Sequence, residues 1–346
     1  MRPGGGEGCR WRRIRSRHEA WGSIISMRVW TVSEEKAGTL TQCLGVAQNL
    51  DRNPTARIFR KQTRAERIFS AFRQIAAEKA PDIVISCGSI SERYVADIKK
   101  AYGGRSFTVH LQPPRRDPGL FDMVFVSRHD WTEAMEHDPK YFKMVGVPHR
   151  ISPDLLAARR EGARARFAPG GEPVVTLLIG GSTWAYAFDR QTIERIIATA
   201  TDLVERGYVV LASTSRRSEP EILARLMELN SPRMMLWDRT GDNPYIDYLA
   251  AADAFIITAD TVTMVCEASM SGKPIHIFPL ARQAEPQFEK KKFEKFERFH
   301  ADMRENIGFA RPFQGVMEEF SYPVEDETLR ISSLIRTAYE KRESQS

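Results

Sequence analysis

Cysteine is scarce in this chain of 346 residues: Cys9, Cys43, Cys87 and Cys266, scattered, with no CxxC pair. That spacing argues against a disulfide framework and a cysteine zinc site, and it fits a reducing compartment, so the expected location is the cytoplasm. Long apolar runs are also missing. The longest are of the kind Val174-Val175-Thr176-Leu177-Leu178-Ile179, far below the ~20 residues needed to cross a bilayer. The expectation is a soluble chain without a transmembrane segment, with peripheral membrane contact left open. HExxH, DxD and GxSxG do not occur, so no metal site and no nucleophile elbow is expected. GxxxxGK[ST] and GxGxxG are absent as well, which excludes a Walker A loop and the dinucleotide fingerprint.

One-signed charge is modest. The formal net charge is +6, but residues 1–26 hold six arginines (Arg2, Arg10, Arg12, Arg13, Arg15, Arg17) against Glu7 and Glu19, leaving about +2 on the rest. A surface that tracks phosphates along nucleic acid is therefore not expected. The segment 1–26 reads as a disordered extension or a start assigned too early, because the first strand pattern begins after Met27.

What is present is alternation. Short β-branched runs at 28–32, 56–59, 83–87, 106–111, 123–126 and 141–146 read as strands. Amphipathic stretches at 39–50, 66–78 and 91–102 read as helices. A Pro- and Gly-rich interval, 148–173, breaks the pattern and marks a boundary. Strands then recur at 174–179, 208–213, 234–237, 254–258 and 274–278. Helices recur at 189–206, 220–229, 245–252, 261–271, 285–303 and 325–340. Such alternation predicts parallel sheets with helices on both faces. The fold class is α/β, with two Rossmann-like domains facing each other across a cleft: 27–150, and 151–346 with the last helix packing back on the first domain.

Three constellations could carry chemistry. Gly180-Gly181-Ser182-Thr183 follows the strongest strand, where glycines let a backbone approach an anionic ligand and the hydroxyls can donate. An ordinary strand-exit turn explains it equally well. In the block 258–274, Asp260 or Thr261 is expected to cap a helix whose N–H groups face the crevice. Thr263 and Glu267 fall on one face of that helix. A mid-helix carboxylate among apolar neighbours needs a partner: ribose hydroxyls, or a Lys or Arg in a structural ion pair. Lys36-Ala37-Gly38-Thr39, with Gln42 one turn on, forms a third loop, read as an acceptor or phosphate loop or a plain turn. His110 and Asp130, at expected strand exits, are candidate general bases. Lys290-Lys291-Lys292 lies among phenylalanines, but Glu289, Glu294 and Glu297 between them favour a core-packing helix over a membrane face.

These residues as a set resemble the mitochondrial-fission (elongated-mitochondria) factor family, which also has bacterial members. The resemblance rests on Lys36-Ala37-Gly38 with Gln42 and Gly45, Pro81-Asp82 through Gly88, Phe121-Asp122, His129-Asp130, Gly146 and Pro148. It continues through Gly180-Gly181, Asn243-Pro244-Tyr245, the block 258–274, Phe299-His300, Gly308 and Arg311. Thr39 departs from it, standing where a more polar His or Asn is expected. The second half also looks like the sugar-nucleotide half of GT-B glycosyltransferases. That resemblance implies a nucleoside-diphosphate sugar as substrate, with no cofactor and no metal, held by Gly180, Gly181, Ser182, Thr183, Asp260, Thr261, Thr263 and Glu267, and an acceptor on the N-terminal side. The reading is a metal-independent glycosyltransferase. The alternatives are a non-catalytic interaction protein and a sugar-nucleotide epimerase on the same fold.

Overall fold

The structure is a computed structural model describing residues 27–59, 79–229, 231–283 and 290–345. The extension 1–26 and the helix expected at 66–78 lie outside the described residues. The N-terminal half contains β1 (Val29–Glu34), α1 (Ala37–Gln48), β2 (Thr55–Phe59), β3 (Ile83–Cys87), α2 (Ser91–Ala101), β4 (Phe107–Leu111), β5 (Met123–Ser127) and β6 (Tyr141–Met144). The strands form one sheet in the order β2-β1-β3-β4-β5-β6, parallel throughout. Strands β1, β3, β4 and β5 are buried at every residue. That is what continuous apolar runs dictate for central strands covered on both faces. One face packs Val29, Ile83, Ile85 and Val109 against Cys43 and Val46 of α1. The other packs Trp30, Val32 and Val84 against Tyr94, Val95 and Ile98 of α2.

The interval 148–173 is not all loop. It contains α3 (Pro153–Phe167), whose Ser152 side chain accepts from the Leu155 N–H, with Pro153 in the first turn. Those are helix-start signals, but only Leu156, Ala163 and Phe167 are buried along its length, too sparse to read as an apolar stripe. Arg160 and Arg164 hold it to the C-terminal half through Asp253, at 2.8 and 2.6 Å.

The C-terminal half continues with β7 (Val174–Ile179), β8 (Tyr186–Ala187), α4 (Arg190–Glu205), β9 (Val209–Thr214), α5 (Pro220–Met227), β10 (Met234–Leu236) and α6 (Tyr245–Ala251). Then come β11 (Ala254–Thr258), α7 (Thr263–Ser269), β12 (Ile275–Phe278), β13 (Ala281–Arg282), α8 (Lys290–Ala301), a π-helical turn Asp302–Ile307, β14 (Ala310–Pro312) and α9 (Glu327–Glu343). Its main sheet, also parallel, runs β10-β9-β7-β11-β12-β14. The aromatic stripe of α8 is core: Phe293 and Phe299 are buried, and Phe296 packs against the same cluster. Helix α9 lies on the N-terminal sheet. Ile331, Ile335 and Tyr339 join the cluster under α1, and the Ser332 hydroxyl donates to the Val46 carbonyl. Among the described residues, no helix is long and apolar enough to cross a membrane.

Two glycines set how closely the halves meet. Gly45 of α1 lies against the His149 backbone, and Gly146 (φ +59°) lies against the Cys266 sulfur; a Cβ at either would overlap its neighbour. The chain crosses between halves at these points, so bare backbone is a packing requirement there.

Candidate functional site

In each sheet the chain reverses direction of growth once. From β1 it goes to β2 on one side and then to β3 on the other. From β7 it goes to β9 and β10, then to β11. At such switch points the loops diverge and leave a crevice outside the carboxyl ends of the strands. The crevice of the second sheet lies between the exits of β7 and β11, where 180–183 and 259–262 sit. The first sheet's lies between the exits of β1 and β3. The two are brought together: a Cβ built on Gly38, at the start of α1, would stand 3.7 Å from the Thr263 hydroxyl at the start of α7.

The glycine loop is built around Asp260. The Gly181 N–H donates to Asp260 Oδ2 at 3.0 Å, and the Gly180 N–H donates to Thr258 Oγ1 at 2.8 Å. The Thr258 hydroxyl in turn donates to Asp260 Oδ1 at 2.7 Å. A Cβ on Gly180 would overlap the Asp260 carboxylate, and one on Gly181 the Arg217 backbone. So what comes close to the glycines is the protein's own carboxylate, and their N–H groups are already engaged. Asp260 is therefore not the cap of α7. Thr261 comes nearest to that role, accepting from the Met264 N–H at 3.4 Å. Burial pushes the Asp260 pKa up, while Thr258, Arg217 and the Gly181 N–H pull the other way. Ser182 Oγ accepts from the Phe188 N–H, and Thr183 Oγ1 from those of Ala185 and Tyr186, which leaves each hydroxyl its own proton to donate.

Glu267 of α7 is 8% exposed. Among the described residues, no Lys or Arg pairs with it. The Tyr245 hydroxyl donates to its Oε2 at 2.6 Å. Its Oε1 has no hydrogen-bond partner among the described residues and keeps contact with solvent. Burial pushes its pKa up to about 7, against the opposing pull of the Tyr245 hydroxyl. A carboxylate so placed can accept one further hydrogen bond and strengthens as an acceptor when ionised.

The N-terminal residues are placed differently from expectation. Lys36 is exposed and pairs with Glu34 at 2.6 Å. The Thr39 hydroxyl donates to the Lys36 carbonyl at 3.0 Å. Gln42 is buried, its Oε1 facing the Cys87 sulfur at 3.4 Å. His110 is not at a strand exit. It sits inside β4, 1% exposed, stacked on Phe121 with ring centroids 4.6 Å apart and 2.8 Å from Ser86 Oγ. Burial pushes its pKa down to about 3, so it is neutral and sealed from any substrate. Asp130 does reach the other half: Lys295 Nζ donates to its Oδ2 at 2.5 Å. Beside it, Arg298 Nε donates to the His129 carbonyl at 2.9 Å, and Arg128 pairs with Asp302 at 3.0 Å. Residues 128–130 thus form an ionic latch onto α8 and the turn that follows it.

Two residues at the site went unassigned in the sequence. Arg217, after β9, is half-exposed and pairs with Asp260 at 2.9 Å while also donating to the Gly181 carbonyl. Its signal was Ser215-Arg216-Arg217-Ser218 at a strand exit. Tyr245 was visible only as part of Asn243-Pro244-Tyr245. Nothing local says that its hydroxyl meets a carboxylate 22 positions on. Among the described residues, no group of three or more His, Cys, Asp or Glu side chains could hold a metal ion.

A family model described as Mitochondrial fission ELM1 matches residues 37–339. The mitochondrial fission protein ELM1 of Arabidopsis thaliana is 27% identical over 299 residues, covering 78% of this chain. The chain spans 66% of that relative's length. An uncharacterized protein of Rickettsia prowazekii (strain Madrid E) is 24% identical over 365 residues, covering 90% of this chain and 98% of the relative. Among solved structures, the UDP-GlcNAc 2-epimerase of Methanocaldococcus jannaschii superposes with a TM-score of 0.55 at 11% identity, over 90% of this chain and 100% of that one. At that identity the likeness concerns fold: two Rossmann-like domains in the GT-B arrangement.

Proposed function

The chain belongs to the mitochondrial fission ELM1 family, and we propose that it binds a nucleoside-diphosphate sugar in the C-terminal crevice and transfers the sugar without a metal ion. Glu267 carries the reading. It is a buried carboxylate on the helix after a switch-point strand, with one oxygen held by Tyr245 and the other without a partner among the described residues. Ribose hydroxyls are the acceptor-seeking groups that acidic residues serve at comparable crevices. The diphosphate would lie over Arg217 and the 180–183 loop, displacing Arg217 from Asp260 without needing the engaged glycine N–H groups. Asp130 would serve as base only once Lys295 lets it go; the other expected base, His110, is out of reach.

A thermal-shift screen with UDP-, GDP- and ADP-sugars tests this. A ligand at ~100 Kd adds roughly 2.7 kcal/mol to stability, and EDTA should leave both binding and turnover unchanged. One observation favours a second reading, a non-catalytic partner-binding protein: Asp130 is engaged in the latch and His110 is sealed. No shift with any nucleotide would select it.

A further inference from the structure

Next to the Asp260 loop, at the carboxyl ends of β12 and β14, lies a cavity of about 210 Å³. Its walls include Tyr186, Arg282, Glu297, His300, Arg304 and Arg311. Two hydrogen bonds tie its wall to the site above. His300 Nε2 donates to the carbonyl of Ala259, the residue before Asp260, at 2.8 Å. The Tyr186 carbonyl accepts from the Thr183 N–H at the end of the glycine loop, at 2.9 Å.

Its chemistry is lopsided. Three guanidinium groups line it against one carboxylate, Glu297. Each arginine has a partner: Arg282 has Glu297 at 3.1 Å, Arg304 has Glu305 at 2.5 Å, and Arg311 has Glu318 at 2.6 Å. Glu305 and Glu318 stand outside the cavity, and all three pairs are solvent-exposed, a class worth about 0–1 kcal/mol each. Each pair leaves further N–H donors on a guanidinium that has five. Tyr186 is 5% exposed, yet its hydroxyl has no partner among the described residues and keeps solvent contact. Burial pushes its pKa up to about 12, so at neutral pH it keeps its proton and can donate. His300 spends its Nε2 proton on the Ala259 carbonyl, burial lowers its pKa below the usual value, and its buried Nδ1 has no partner among the described residues, so it adds no donor to the cavity. Donors therefore outnumber acceptors, and the complement is a group rich in acceptor oxygens.

We propose that this cavity takes a carboxylate carried by the sugar of the bound nucleotide, making the donor an acidic sugar nucleotide. The inference rests on the nucleotide-sugar reading and goes beyond it by naming the sugar class. At about 210 Å³ the cavity is below the roughly 300–1,000 Å³ of sites that enclose drug-sized ligands. It suits one ring with its charged substituent, with the nucleotide outside, over Arg217 and Glu267.

The test compares ligands matched in base and differing at C6, UDP-glucose against UDP-glucuronate and GDP-mannose against GDP-mannuronate, by calorimetry on the full chain. The acidic member should bind at least tenfold more tightly. Arg311→Gln and Tyr186→Phe should each reduce that preference several-fold. Tyr186→Phe keeps the ring in place, Arg311→Gln gives up the stacking of its guanidinium on Phe320, and a circular-dichroism melt verifies folding of both. Equal affinity for the two members overturns the acidic-sugar inference and leaves the nucleotide reading standing. Binding of neither member overturns the acidic-sugar inference, and the nucleotide reading falls with it when UDP-, GDP- and ADP-sugars all leave the melting midpoint unchanged.

Discussion

At the residue scale, the decisive group is Glu267. Its pKa in the fold, about 7, lies above the ordinary 4.5, so between those values the folded state holds a proton that the unfolded chain has released. The stability from this group is complete below about pH 4.5 and is lost as the pH rises through about 7, by at most about 3 kcal/mol. Glu267→Gln removes this dependence. At pH 8 the variant should be as stable as the parent or more so, measured by urea unfolding. Its nucleotide affinity should fall about tenfold or more, since a hydrogen bond to a charged acceptor contributes about 1.5–3 kcal/mol. Affinity of the parent should rise from pH 6 to pH 8 as the carboxylate ionises, and the Gln variant should be flat. Tyr245→Phe deletes the group that lowers the Glu267 pKa, so its affinity midpoint should move to higher pH. A pH-independent affinity in the parent would remove Glu267 from the ligand site.

At the element scale, the strand-exit loops are organised by Asp260 rather than by a ligand. Asp260→Ala would leave the Gly181 N–H and the Arg217 guanidinium without their acceptor. Arg217 is half-exposed, so the cost is mainly that of a buried N–H left without its acceptor, about 1–3 kcal/mol, and a fall of that order in chemical denaturation is expected with or without nucleotide. Gly181→Ala would drive a methyl into the Arg217 backbone. It should cost about 1–3 kcal/mol and weaken nucleotide binding, because the loop must shift. If Gly181→Ala left both quantities at parental values, the loop would be open there and the packing account wrong.

At the scale of the whole molecule, the two halves are joined in two ways. Helix α9 is fixed into the N-terminal core by Ile331, Ile335 and Tyr339, a permanent apolar tie. The latch of Asp130–Lys295, Arg128–Asp302 and the Arg298 bond is polar, with its basic groups nearly half-exposed and its two carboxylates largely buried, and salt weakens it from the exposed side. Lys295→Ala combined with Arg128→Ala leaves these two carboxylates unpaired and should therefore lower the melting midpoint. It should raise the radius of gyration seen by small-angle scattering, and high salt should do the same to the parent. Unchanged scattering in both experiments would mean that other contacts hold the halves together.

Most of the secondary structure was legible because its cause is local. Runs such as 83–87 and 174–179 are buried on both faces and read as strands whatever surrounds them. The alternation of strand and helix likewise constrains the sheets to be parallel. The helix 153–167 escaped because its start signals are local but its stability comes from Arg160 and Arg164 reaching Asp253, almost ninety positions on. The site follows the same division. Strand-exit polar clusters, Gly180-Gly181 and 258–267 among them, could be marked from sequence because exits of parallel strands share one edge. Which atoms meet there could not be. Asp260 turned toward the glycines instead of the helix, Tyr245 reached Glu267, and His110 faced inward from β4. Each outcome depends on which strand lies beside which, and pairing between strands far apart in the chain is decided by burial and hydrogen-bond satisfaction in three dimensions. The residue types at the crevice are a property of the sequence; their partners, their exposure and the proton affinity of Glu267 are properties of the packed fold.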